Sequence, residues 1–180
     1  MTDDFREKMV KFLPRLSRFA LSLTGSLDRR DDLVQETCVR ALARREQWQP
    51  GTRLDSWMFR IAQNIWLDGL RRETFRGEPV DIESMDDLMD SDGRTLVENR
   101  LALAEVLRAL DQLSPEHRVL IALVCVEGLT YKEAATVLGL PLGTVMSRLA
   151  RARLALHDAI ERAAASQASA TLEKRRGRIV

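Results

Sequence analysis

Apolar residues return every three or four positions along most of the chain, and the places where that rhythm fails divide it. Over 5–23 the recurring positions are Phe5, Met9, Phe12, Leu16, Phe19 and Leu23, the spacing of one helix face. Pro14 lies inside this run and predicts a break or kink, since proline removes a backbone donor and crowds the preceding turn. Thr24-Gly25-Ser26 interrupts the pattern. Asp28 is placed to cap a second helix reaching about residue 46, with Leu33, Val34, Thr37, Cys38, Ala41 and Leu42 inward. After a loop at Pro50-Gly51, Asp55 or Ser56 caps a third helix that runs through Trp57, Ile61 and Ile65 to about residue 76.

The next stretch, 77–94, is a different material. It is acidic, broken by Pro79 and Gly93, and too poor in apolar residues to pack by itself, which reads as a flexible linker with at most a turn near 85–89. Helical periodicity then resumes over 96–113. Ser114-Pro115 sets an N-cap serine before a proline at the first helical position, and that helix ends at Gly128. Thr130 and Glu133 form a capping box that opens a short helix to Leu138. Gly139-Leu140-Pro141 turns the chain into a long helix over 142–164, and 165–180 reads as a disordered basic tail. The expected architecture is all-α: one helical domain over 1–76, the linker over 77–94, and a second helical domain over 95–164.

Composition narrows the function. Aromatic residues at 5% and a net charge of +1 favour a helical protein with no strong overall field. The near-neutral total conceals an asymmetry: eight acids against one base over 78–98, and eight bases against three acids from Pro141 onward. Such a division points towards a nucleic-acid partner. Cys38 and Cys125 have no metal-ligand spacing and read as buried structural thiols. No apolar run suits a membrane span, and an acidic N-terminal segment with Asp3, Asp4 and Glu7 does not suit a secretory signal, so the expectation is a cytoplasmic protein without membrane insertion. His117 and His157 have no catalytic company, and the expectation is no enzyme, no cofactor and no metal.

The segment 130–155 carries the chemistry. A capped helix, a glycine turn and a longer helix form a helix-turn-helix, whose second helix enters the major groove. At 100° per residue, Val145, Leu149, Ala152 and Leu156 fall within about 60° of one another and make its packed face. Thr144, Ser147, Arg148 and Arg151 then lie opposite or on the flank. Arginine can grip guanine bidentately, while threonine and serine reach bases or phosphates.

These residues resemble a known family. The run GLTYKEAATVLGLPLGTVMSRLARAR over 128–153, led by LSPEHR over 113–118, is similar to the C-terminal domain of extracytoplasmic-function sigma factors. DDLVQET over 31–37 and WMFRIAQN over 57–64 resemble the two signature stretches of sigma domain two, and FALSLTG over 19–25 is a short match to general-stress members from alphaproteobacteria. The resemblance spans about 12–156. It implies that Asp32, Gln35 and Glu36 dock on the clamp helices of the polymerase largest subunit. It implies that the loop WQPGTRL over 48–54 reads the −10 element by catching a flipped base, a task for which Trp48, Gln49, Arg53 and Asn64 supply walls and polar edges. Arg60, Arg71 and Arg72 would contact phosphates from the same region, while Trp57 and at least one of Phe59 and Trp66 belong to the core. Thr144, Ser147, Arg148 and Arg151 would read the −35 element.

The resemblance therefore implies a factor that binds RNA polymerase core and promoter DNA, is silenced by an anti-sigma factor, and is monomeric when free. Two other classes stay in view: a sigma-like decoy that sequesters an anti-sigma factor, and a stand-alone helix-turn-helix regulator. A decoy has no need of DNA-reading arginines, and a regulator, usually a dimer, would leave the first lobe unexplained, with no dimer helix evident in the sequence.

Overall fold

A computed structural model of the chain describes residues 2–49, 51–76 and 94–176. Its helices are α1 (Thr2–Thr24), α2 (Leu27–Ala43), α3 (Leu54–Arg76), α4 (Arg94–Asp111), α5 (Pro115–Ile121), α6 (Tyr131–Leu138) and α7 (Leu142–Arg176), with no strand among the described residues. The expected linker, Arg94 apart, lies outside the described residues.

Several expectations are corrected. Helix α1 runs unbroken through Pro14. An interior proline costs about 3 kcal/mol. On the opposite face, however, Phe12, Leu16 and Phe19 are buried, each worth about 1.5–3 kcal/mol. Pro14 itself is exposed, as is Val10, whose carbonyl it leaves without a donor, so water can serve that group. Ser26 rather than Asp28 caps α2, accepting a hydrogen bond from the Arg29 amide at 3.4 Å. Asp55 falls inside the first turn of α3 and accepts from the Ser56 amide at 2.7 Å, so neither residue stands at the cap. Beyond α5 the chain widens into a π-helical turn, Ala122–Val126, closed by the Glu127 amide donating to the Ala122 carbonyl at 3.0 Å. Helix α7 continues to Arg176, so residues 165–176 are helical where a disordered tail is expected. The alanines in that segment are strong helix formers and sustain it. Cys125 is exposed and Cys38 half-buried, so the buried-thiol reading fails for the first; burial pushes the Cys38 thiol pKa up.

Helices α1, α2 and α3 build an aromatic first lobe, in which Phe12 and Phe19 meet Phe59 edge-on with centroids 4.9 and 4.8 Å apart. Helices α4 to α7 build an aliphatic second lobe around Leu110, Leu120, Leu123 and Leu149. The lobes share one continuous apolar core, because α1 packs against α4, α5 and the π turn, while α3 packs against α6.

Polar groups fasten the junction. Glu127, its side chain fully buried, accepts from the Arg15 Nε at 3.0 Å and pairs with the Arg18 Nε at 3.3 Å. Arg118 donates its Nε to the Ser22 carbonyl at 2.7 Å, pairs with Asp111, and lies over the Trp66 ring. Burial lowers the Arg118 pKa, although Asp111 opposes that shift. Its guanidinium closes on Gly25, where an added Cβ would stand 3.2 Å from Nη2 and where φ is +70°.

Candidate nucleic-acid interface

The helix-turn-helix follows its local rules closely. The Thr130 hydroxyl accepts from the Glu133 amide at 3.2 Å, and the Glu133 carboxylate accepts from the Thr130 amide at 2.8 Å. At the far end of α6, Gly139 adopts φ +66°, and the Leu140 amide returns to the Ala135 carbonyl at 3.1 Å. Only glycine enters that left-handed region freely, which is why the turn carries one. The Pro141 carbonyl then accepts from the amides of Thr144 and Val145, starting α7.

Along α7, Val145, Leu149 and Ala152 are buried and Leu156 packs at the margin, as the angular count predicts. Ser147 and Arg151 are exposed, and Thr144 is half-buried. The Arg151 Nε reaches the Ser147 carbonyl of its own helix, at 3.4 Å. Arg148 is half-buried and pairs with Glu116 at 2.9 Å inside the same lobe. Met146 is 51% exposed beside them. Arg153 donates to the Tyr131 hydroxyl at 3.3 Å, a contact that raises its pKa and ties α7 to α6. The face is therefore basic and backed by buried side chains.

The first lobe presents its candidates differently. Gln49, Asn64, Arg71 and Arg72 are exposed, with Arg71 held loosely to Asp68 at 3.2 Å. Trp48 is buried at 8% exposure, packed on Phe5 at 5.6 Å with the Lys8 ammonium 5.5 Å from its ring. In this conformation its ring face is not offered to a base. Trp57, Phe59 and Trp66 also pack inward. Arg53 forks onto Asp55 at 3.1 and 2.6 Å and also pairs with Glu133 of the second lobe. Burial alone would raise the Asp55 pKa, but Arg53, the Ser56 amide and Arg15 together hold it below the ordinary value. Arg60 donates to the carbonyls of Val137, at 2.9 Å, and Thr136, both in the last turn of α6.

Asp32 and Gln35 are exposed on α2, and Glu36 is half-buried and paired with Arg40, while Leu33 and Thr37 are buried on the opposite side. Among the described residues no acid, cysteine or histidine cluster could hold a metal ion, and no helix is long and apolar enough to cross a membrane. Sequence reasoning missed Arg15, Arg118, Glu127 and Glu133 as residues that join the lobes. No spacing announces them, because their partners lie far away along the chain.

Residues 9–76 match the family described as sigma-70 region 2, and residues 103–156 match sigma-70 region 4. The chain is 38% identical over 153 residues to the ECF RNA polymerase sigma factor EcfG of Rhodopseudomonas palustris, covering 85% of this chain and 83% of that protein. It is 36% identical over 147 residues to the ECF RNA polymerase sigma factor SigE of Mycolicibacterium smegmatis, covering 80% of this chain and 56% of that protein. The fold is similar to the sigma factor RpoE, solved in complex with the anti-sigma factor NepR from Bartonella quintana. The TM-score is 0.72 at 30% identity, covering 88% of this chain and 97% of that one.

Proposed function

The chain belongs to the sigma-70 family, among its extracytoplasmic-function members, and from that footing we propose that it binds RNA polymerase core, directs promoter-specific initiation and is controlled by an anti-sigma factor. A sigma factor is a regulatory protein, and its place of work is the cytoplasm. The observation that carries this reading is the basic face of α7, with Arg151 and Ser147 exposed above a fully buried Val145, Leu149 and Ala152. A helix held from behind in this way can be pressed into a major groove without loss of its own packing.

In this reading Thr144, Ser147, Arg148 and Arg151 contact the −35 duplex. Arg148 exchanges Glu116 for DNA, a small cost because Glu116 is itself 65% exposed. Gln49, Arg53, Arg60, Asn64, Arg71 and Arg72 are exposed and form the −10 surface, although Arg53 and Arg60 also hold α6. Trp48 supports the loop from beneath unless that loop remodels. Asp32, Gln35 and Glu36 offer α2 to the polymerase clamp. Control by an anti-sigma factor is supported by the similarity to a sigma factor solved with one.

Run-off transcription on genomic fragments tests the proposal, using core polymerase with and without the chain. Promoter-specific transcripts are expected only when it is present. A core enzyme that neither associates with it nor gains start-site selectivity refutes the assignment.

A further inference from the structure

A surface that catches unstacked bases needs an aromatic or apolar platform as well as cations. The residues assigned to the −10 strand supply cations and polar edges, but Trp48, Phe59 and Trp66 are buried and Trp57 is half-buried. Among the described aromatic rings of the first lobe, Phe75 alone is exposed, at 94%. It lies near the end of α3, four residues beyond Arg71. At 100° per residue, Asn64, Arg71 and Phe75 fall within about 40° of one another, with Arg72 on the flank. All four are exposed. The opposite side of α3 carries the buried Trp66 and also Glu73, which pairs with Arg29 of α2 at 3.2 Å. Phe75 therefore faces outward from a helix end that is fastened behind it. A single exposed apolar side chain means little on its own; this one is informative because it continues a stripe of arginines.

We infer that Phe75 is a stacking platform for one unstacked base of single-stranded DNA, extending the strand-reading stripe of α3 to its last turn. This rests on the sigma assignment for the identity of the strand. From Asn64 to Phe75 the stripe is about 16 Å long at 1.5 Å per residue, room for about five nucleotides at 3.4 Å each. Asn64 offers a polar edge at one end, Arg71 and Arg72 meet phosphates along it, and the Phe75 ring receives the face of a base at the other. The Arg71 pair with Asp68 is exposed on both sides, so it gives way to a phosphate at little cost. Every base has a π face, so the ring adds affinity without adding sequence preference. Folding asks nothing of this side chain, which buries almost none of the apolar surface by which a phenylalanine stabilises a core.

The probe is a short fluorescein-labelled single-stranded DNA of mixed sequence, read by anisotropy against the full chain alone and bound to core polymerase. Phe75→Ala is expected to keep the urea midpoint of wild type and to weaken strand binding about tenfold. Phe75→Leu should lose nearly as much and Phe75→Trp should bind as wild type does, since the ring is what matters. Phe75→Leu carries the test if circular dichroism shows Phe75→Ala unfolded. The slope of log affinity against log salt should be unchanged in Phe75→Ala, whereas Arg71→Ala should reduce it by about 0.7 as one phosphate contact is lost. Abasic sites placed one position at a time should reveal a nucleotide whose removal weakens wild type but not Phe75→Ala. Equal strand affinity in wild type and Phe75→Ala overturns the platform, and weaker co-elution with polymerase in that case places the ring against protein instead. Equal losses in Phe75→Trp and Phe75→Ala, or no detectable strand binding in either state, overturn it as well. Run-off transcription with core polymerase keeps the two readings apart. Ring-dependent strand binding without a promoter-specific transcript removes the sigma assignment alone, and promoter-specific transcription with ring-independent strand binding removes the platform alone.

Discussion

The two surfaces proposed to meet DNA have opposite relations to the rest of the molecule. On α7, Ser147 and Arg151 point outward from a helix whose cap, turn and packed face all come from residues within one short segment. In the first lobe, Arg53 and Arg60 reach into α6, and Trp48 is folded under its own loop. One surface is complete when its local structure is complete. The other is exposed but shared with a distant helix, which holds Arg53 and Arg60.

The largest expected effect lies on the α7 surface. Arg148→Ala combined with Arg151→Ala should lower −35-dependent initiation by about a hundredfold or more, since each guanidinium that reads a base is worth about 1–3 kcal/mol. Core binding, measured by co-elution with polymerase, should be unchanged. Loss of core binding in that variant would erase the distinction between the surfaces.

Trp48→Ala sharpens the comparison from the other side. Removing a buried tryptophan should cost about 3 kcal/mol in urea denaturation, with open-complex formation weakened as the loop loosens. Exposed Gln49→Ala should leave stability near wild type and weaken open complexes alone. Undiminished stability in Trp48→Ala would return the tryptophan to direct reading.

Gly139→Ala isolates the local geometry of the α6–α7 turn. No atom lies within 4 Å of the added Cβ, so the cost is backbone strain at φ +66°, about 1 kcal/mol, read as a lower urea midpoint. A neutral result would mean that the turn relaxes to another conformation.

The smallest effect concerns Asp55, which holds Arg53 in place. Its folded pKa is depressed, so its contribution is present above the ordinary aspartate value of about 3.9 and is lost as pH falls through the folded value. Asp55→Asn should flatten that part of the acid limb when urea midpoints are followed against pH. An unaltered limb would show that Arg53 is not anchored by this carboxylate.

Legibility in the sequence follows the same division. The all-α class, the capping box at Thr130 and Glu133, the N-cap at Ser114 and the inward positions of Val145, Leu149 and Ala152 were readable because each depends on neighbours three or four residues away. The unbroken passage of α1 through Pro14 was not, because it depends on how much aromatic surface Phe12 and Phe19 bury against Phe59.

By itself, then, the sequence determined the helices, the caps at Ser114 and Thr130 and the order of the two sigma regions, since those rest on short-range geometry and on motifs contiguous in the chain. Only the tertiary structure decided that the lobes share one core and that Arg53 and Arg60 close on α6. Those contacts join side chains such as Arg15 and Glu127, which are 112 positions apart. No periodicity carries information over that distance. Packing and charge settle it only after the chain has folded.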